Sequence, residues 1–219
     1  TIACAAFTIS AGNYQNINFG TSTINCASFT APNISSGTVI SMASSTINCS
    51  GTNFSGKGRT YGTVLLSHAN PSVSGKNTFT NLTITPTTAT KTNGVTFSQS
   101  QTITGTFTVS NGATVTNRVL VQSNEVGRQV TITAAAISIS NADFQDIKGA
   151  GAASWDMSAA SGGSGDCGGN SMKALGAAAF TSAVTTTYTM AANDSWSTAA
   201  RWSTGIVPLP QDTVNFGAL

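Results

Sequence analysis

The chain has 219 residues, and only 7% of them are charged, with nine Lys and Arg, seven Asp and Glu, and a formal net charge of +2. An ordinary soluble domain carries roughly a quarter charged residues. Here 35 Thr, 28 Ser, 18 Asn and 22 Gly build the polar surface from neutral groups. Nine basic residues scattered singly leave no electrostatic footprint for nucleic acid. No apolar run approaches the 18 or so residues of a membrane span. A hydrophobic fraction of 40% at this low net charge excludes intrinsic disorder. Glu and Lys are scarce while Thr, Val, Ile and Phe recur, so the composition predicts an all-β protein.

From the N-terminus, one motif returns at spacings of 22 and 23 residues. Thr1-Ile2-Ala3-Cys4-Ala5-Ala6-Phe7 recurs as Thr23-Ile24-Asn25-Cys26-Ala27-Ser28-Phe29, and again as Thr46-Ile47-Asn48-Cys49 with Phe54 following. A second pair aligns Thr60-Tyr61-Gly62-Thr63-Val64-Leu65-Leu66 with Thr78-Phe79-Thr80-Asn81-Leu82-Thr83-Ile84. Gly105-Thr106-Phe107-Thr108-Val109 then repeats the pattern of 81–84. Units of this length, each with short alternating strands and Gly or Asn turns, have the size of one coil of a parallel β-solenoid. A sandwich has no reason to repeat a motif at this interval. Period-two alternation puts Ile2 with Cys4, Ile24 with Cys26, and Ile47 with Cys49 on one face. Stacked one coil above another, these residues and Val64, Leu66, Leu82, Ile84, Phe107 and Val109 predict a narrow interior of apolar ladders, with Thr and Asn outside.

Farther along, residues 118–123, 130–133 and 137–140 read as three more short strands, and 141–147 completes that block. From Lys148 to Asn170 the pattern collapses into Gly, Ala and Ser, which predicts a loop or lateral excursion. Residues 171–192 are Ala- and Thr-rich, and the tail from Asn193 carries Trp196, Trp202 and a Pro-Leu-Pro turn. The expected organisation is a right-handed parallel β-helix over 1–147, an irregular Gly/Ala/Ser/Thr-rich segment over 148–192, and a Trp-containing terminal β module over 193–219. The right hand follows from the preference of parallel crossovers. Thr1 in place of Met, and a strand pattern under way at both ends, predict a segment of a longer polypeptide.

The run Asn53-Phe54-Ser55-Gly56-Lys57-Gly58-Arg59-Thr60-Tyr61 followed by Asn77-Thr78-Phe79-Thr80-Asn81-Leu82 resembles the right-handed parallel β-helix proteins of tailed bacteriophages and prophages. So does Leu120-Val121-Gln122-Ser123-Asn124, with Ile137-Ser138-Ile139-Ser140-Asn141-Ala142-Asp143-Phe144 and Gly165-Asp166-Cys167-Gly168-Gly169-Asn170 after it. Trp196-Ser197, Trp202-Ser203 and Pro208-Leu209-Pro210-Gln211-Asp212 are similar to a Trp-rich module of those proteins and of bacterial surface adhesins. The resemblance covers roughly 46–216, with Met172-Lys173-Ala174-Leu175 departing from its apolar strand pattern. It implies a virion or tail-associated architecture more than any activity.

Cys4, Cys26 and Cys49 share one register, which fits an interior thiol ladder, a disulfide pair or a metal site. Three in a row cannot all pair, and no His or Cys-x-x-Cys spacing accompanies them, so the ladder is the expectation, with no metal and no cofactor. Cys167 lies in a Gly-rich loop. Asp143 and Asp146 form the closest acidic pair, the site to examine if the chain is an enzyme of the polysaccharide lyase or hydrolase kind. The other acids, Glu125, Asp156, Asp166, Asp194 and Asp212, stand alone and suit turns and caps. His68, the single histidine, lacks the nucleophile motif of a catalytic triad. Gly162-Gly163-Ser164-Gly165 lacks the Lys-Ser/Thr of a phosphate loop. Sequons at Asn33, Asn48, Asn53, Asn81 and Asn193 are as frequent as chance provides. Trp196 and Trp202 are candidates for stacking on sugar rings, or else for a small local core.

Three functions remain in view. The leading expectation is a non-enzymatic structural protein of a phage virion or extracellular fibre, acting as decoration, fibre or spacer. The others are a carbohydrate-binding adhesin or receptor-binding module and a polysaccharide lyase or hydrolase. Its four Cys and low charge suit a virion or an extracellular or cell-surface setting. Expected partners are copies of itself or other structural subunits, with surface glycans second.

Overall fold

A computed structural model describes residues 1–9, 16–33, 39–85, 93–110, 116–175, 178–189 and 195–216. Its strands are β1 (Ile2–Thr8), β2 (Asn16–Asn18), β3 (Thr23–Thr30), β4 (Val39–Ser55), β5 (Thr60–Leu66), β6 (Ser72–Ser74), β7 (Thr78–Ile84) and β8 (Asn93–Phe97). There follow β9 (Gln101–Val109), β10 (Val119–Ser123), β11 (Val130–Gln145), β12 (Ile147–Gly151), β13 (Ser161–Asp166), β14 (Ser171–Met172), β15 (Thr185–Tyr188) and β16 (Thr213–Phe216). The one helical element among the described residues is a three-residue 3-10 turn, Ala199–Arg201.

Every pairing between the described strands is parallel, with one isolated antiparallel bridge between Tyr188 and Trp202, and the repeats set the registers. Ile2, Ile24 and Ile47 lie side by side, as do Cys4, Cys26 and Cys49, and Phe7, Phe29 and Phe54. Tyr61 opposes Phe79, Val64 opposes Leu82, and Leu82 opposes Phe107. The chain alternates between two rows, β5–β7–β9 and β6–β8–β10. The rows do not stay separate. The residues of β4 around Ile47 pair with β5, and its last three, Asn53 to Ser55, pair with β6. In β11, the stretch 132–139 pairs with β9 and 142–145 pairs with β10.

Hydrogen bonding therefore runs β4–β5–β7–β9–β11–β10–β8–β6 and returns to β4, a closed ring of eight parallel strands. This corrects the expected right-handed parallel β-helix: the sheet is a closed barrel by its pairing, not an open solenoid. The physical reason is strand length. Period-two alternation breaks the sequence into short strands such as 130–133 and 137–140, whereas β4 and β11 run for 17 and 16 residues and cross from one row to the other. Neither "parallel β-helix" nor "solenoid" describes this sheet, and nothing in the fold supports a bacteriophage virion over another setting. β3 and β1 extend the sheet outward from β4, while β12 and β13 pair with β11, and β14 with β12. The Gly-rich stretch after Lys148 thus contributes strands where a loop was expected. β15 and β16 form a separate two-stranded sheet.

The core lies between the two rows. Ile47, Phe54, Val64, Val73, Leu82, Phe97, Phe107, Val121, Ile132 and Phe144 are buried, and Phe97 of β8 meets Phe107 of β9 at 6.5 Å between ring centroids. An aromatic row backs the N-terminal strands: Phe29 stacks on Phe54 at 4.9 Å, and Tyr61 packs against both. Offset and edge pairs of this kind add about 0.5–1.5 kcal/mol each beyond the area they bury. Where the register slips between Cys26 and Ser28, the slack is taken up at Gly51, whose added Cβ would sit 1.9 Å from the Ala27 carbonyl oxygen.

Candidate functional site

The cysteine row is interior at two of its three positions. Cys49 and Cys26 are buried and Cys4, on the outermost strand, is half-buried. Ile2 above it is 39% exposed, whereas Ile24 and Ile47 are sealed. All three thiols are free; Cys49 Sγ reaches the carbonyls of Ala27 at 3.5 Å and Asn53 at 3.6 Å. The hydrogen bond with Cys49, burial and the neighbouring sulfurs all hold the Cys26 thiol in its protonated form. Among the described residues, no three His, Cys, Asp or Glu side chains are placed to hold a metal ion. Cys167 is exposed in the turn after β13; partial desolvation, then the Asp143 and Asp166 carboxylates, push its thiol up to about 11.

Asp143 and Asp146 do not face a common space. Asp143, 8% exposed, is held by Arg118: Nε donates to both carboxylate oxygens at 3.0 and 2.9 Å, and Nη2 donates to Oδ1 at 2.6 Å. The same guanidinium donates to the carbonyls of Ala142, Gly162 and Gly163. It therefore ties β10, β11 and β13 together, and Gly165 is required beside it, since a Cβ there would lie 2.0 Å from Asp143 Oδ1. Asp146 sits in the turn between β11 and β12 with a φ of 54° and accepts the Gly127 N–H at 2.9 Å. Each carboxylate is thus engaged by its own structural partner. Asp166 Oδ1 likewise accepts the N–H of Gly168 and the Asn170 amide. His68 Nδ1 accepts the Asn70 N–H in the turn after β5, away from any carboxylate contact among the described residues. Asn193, a sequon position, and Asp194 lie outside the described residues.

The terminal module separates the two tryptophans. Trp202 is 2% exposed and donates its indole N–H to the Trp196 carbonyl, which makes it the local core. Trp196 is 49% exposed; it packs edge-on against Trp202 at 4.7 Å, lies parallel to Tyr188 at 6.2 Å and touches Phe216 at 5.5 Å. The parallel pairing of β15 with β16 sets Tyr188 opposite Phe216. Asp212 fixes the connection by accepting the N–H groups of Val184 and Leu209. Gln211 fastens the module to β13, donating to the carbonyls of Ser164 and Thr181 and accepting the Asp166 N–H. The result is an aromatic surface on which Trp196 is exposed and Trp202 is not.

Sequence reasoning missed Arg118, Tyr188 and Phe216. The repeat interval could have found Arg118, because one unit of about 25 residues carries it to Asp143, where Val119 opposes Ala142 and Leu120 opposes Asp143. No comparable signal marked Tyr188 and Phe216, which meet through a pairing far apart in sequence. No protein-family model matches the chain, and neither curated proteins nor solved structures yield a significant match, so the functional reading rests on this geometry.

Proposed function

We propose that this protein is a non-enzymatic structural element of an extracellular fibre or surface assembly. The observation that carries the reading is the set of uncharged hydroxyl rows running across the strands. Thr60, Thr78, Thr102 and Thr133 line up in register on β5, β7, β9 and β11. Thr83, Thr108 and Ser138 form a second such row. Cross-strand hydroxyl pairs stiffen a sheet, and a wall without charge packs against like walls without repulsion. The buried carboxylates support the same reading, since Asp143 and Asp146 are occupied in holding strands and turns. Its assembly partners are further copies or other structural subunits. The test is a turnover screen against acidic and neutral polysaccharides. No release of reducing or unsaturated ends is expected, and turnover lost in Asp143→Asn would overturn the proposal.

A second reading, glycan binding, is favoured by one observation: Trp196 lies open beside Tyr188 and Phe216, with Phe216 62% exposed. Flat apolar rings of this kind stack on sugar faces. A glycan array comparing the protein with Trp196→Ala decides it, with Trp196-dependent micromolar binding for the reading and uniform silence against it.

A further inference from the structure

The charges are unevenly distributed along the chain. No Asp or Glu precedes Glu125, yet five Lys and Arg do, among them Lys57 and Lys76. The register of the sheet brings these two lysines to one corner of the barrel, Lys57 in the turn after β4 and Lys76 in the turn after β6. Between them lies an open groove of about 400 Å³, lined also by Asn33, Ser74, Ser98 and Gln99. Neither ammonium has an ionic or hydrogen-bonded partner among the described residues.

The groove is built into the fold. Gly75 takes a φ of 91°, and a Cβ there would lie 2.6 Å from the Lys57 nitrogen and 2.7 Å from that of Gly58. Only a glycine lets the second turn pack this closely under the first. Asn77, 1% exposed, locks the two turns together: its amide donates to the carbonyls of Ser74 and Gly75, and its Oδ1 accepts the Gly58 N–H at 3.0 Å. Asn77 is held in turn by Gln101, whose Oε1 accepts from its amide at 3.0 Å. Two lysines without a partner among the described residues therefore line a preorganised concavity that also carries hydroxyl and amide groups.

We infer that this groove binds an acidic polysaccharide, the lysines pairing with its carboxylate or sulfate groups and Asn33, Ser74, Ser98 and Gln99 with its hydroxyls. Hydroxyl and amide side chains both donate and accept, as a sugar requires. Among the described residues no aromatic side chain lines the groove, so the stacking that holds single-stranded nucleic acid has no platform there. The inference is independent of the aromatic surface at Trp196.

The experiment is affinity electrophoresis at low salt through gels containing dextran sulfate, polygalacturonate or neutral dextran, with a single-stranded oligonucleotide as competitor. The wild-type protein is expected to be retarded by an acidic polymer and not by neutral dextran, with retardation fading as salt rises. Lys57→Ala/Lys76→Ala is expected to weaken binding about tenfold, the scale of losing charge-assisted contacts. Lys57→Arg/Lys76→Arg should retain it, and the charge-matched Lys148→Ala/Lys173→Ala should bind as the wild type does. Circular dichroism confirms that each variant is folded, and Lys57→Gln/Lys76→Gln replaces the alanine variant should it not be. Equal retardation by neutral dextran, equal loss in the Lys148/Lys173 variant, binding by neither acidic polymer, or tighter binding of the oligonucleotide would each overturn the inference. Retention of binding in Trp196→Ala keeps this result distinct from any failure of the glycan-stacking reading.

Discussion

Replacing Asp143 with Ala strands the Arg118 guanidinium in a nearly closed site. The two side chains are 13% and 11% exposed, and their ion pair is short, 2.6 Å, and shared over both carboxylate oxygens. Breaking such a pair from one side costs 3–5 kcal/mol in fully buried cases, because the remaining charge keeps its desolvation penalty. Residual exposure, and the three carbonyls that still accept from Arg118, bring the expected loss to about 3 kcal/mol. Arg118→Met should cost about as much, since it also releases the carbonyls of Gly162 and Gly163. The double variant Arg118→Met/Asp143→Leu should cost less than the sum, leaving a coupling of about 2 kcal/mol. Urea unfolding at pH 7 with a common slope measures all four corners. Domains are stable by about 5–15 kcal/mol, so a change of this size is easily read. A loss under about 0.5 kcal/mol in Asp143→Ala would show that the pair is effectively solvated and refute the reasoning.

Gly51→Ala should destabilise by about 3 kcal/mol, because the new Cβ meets the Ala27 carbonyl and pushes β4 from β3; thermal unfolding checks it, and an unchanged midpoint would count against the register. Burial lifts the Tyr61 phenol above its ordinary value of 10 while its hydroxyl donates to the Gly56 carbonyl at 2.6 Å. The native state then keeps a proton that the unfolded chain releases, so this contribution is intact below pH 10 and declines as pH rises above it. Tyr61→Phe should flatten that alkaline decline at a cost of roughly 1 kcal/mol at neutral pH, read from urea midpoints across pH. In native-state thiol labelling, Cys167 and Cys4 should react while Cys26 and Cys49 stay protected, and the Cys167 rate should still be climbing with pH toward about 11. Labelling of Cys49 as fast as Cys167 would place the row outside the core.

The sequence disclosed the registers more clearly than the closure. Repeated Ile-x-Cys and Phe positions, and the alignment of 60–66 with 78–84, correspond residue by residue to the observed pairings, because an interior row accepts only apolar side chains at matching depth. The second row was nearly silent. β6 is three residues long, and β8 and β10 are five each, too short for alternation to stand out from Thr-rich loops. Closure was hidden by the two long strands, whose polar interruptions, such as Asn141 at a φ of 47°, bend the strand without ending it. Glycines read as a loop signal at 149 and 165 instead permit close approach, one to Trp155 and the other to Asp143. At the site level, Asp143 stands out in sequence beside Asp146, but its ionic partner Arg118 lies one repeat away. Trp196 and Trp202 look alike in sequence, and only packing distinguishes the exposed ring from the buried one.

The proposed structural role outside the cytoplasm is tested most directly by the distribution of the chain in the organism that encodes it. Quantitative mass spectrometry of purified extracellular filaments and surface assemblies, set against the soluble cytosol, should find the protein enriched in the assemblies at a fixed ratio to their other subunits. A chain confined to the cytosol and absent from every such assembly would contradict the account.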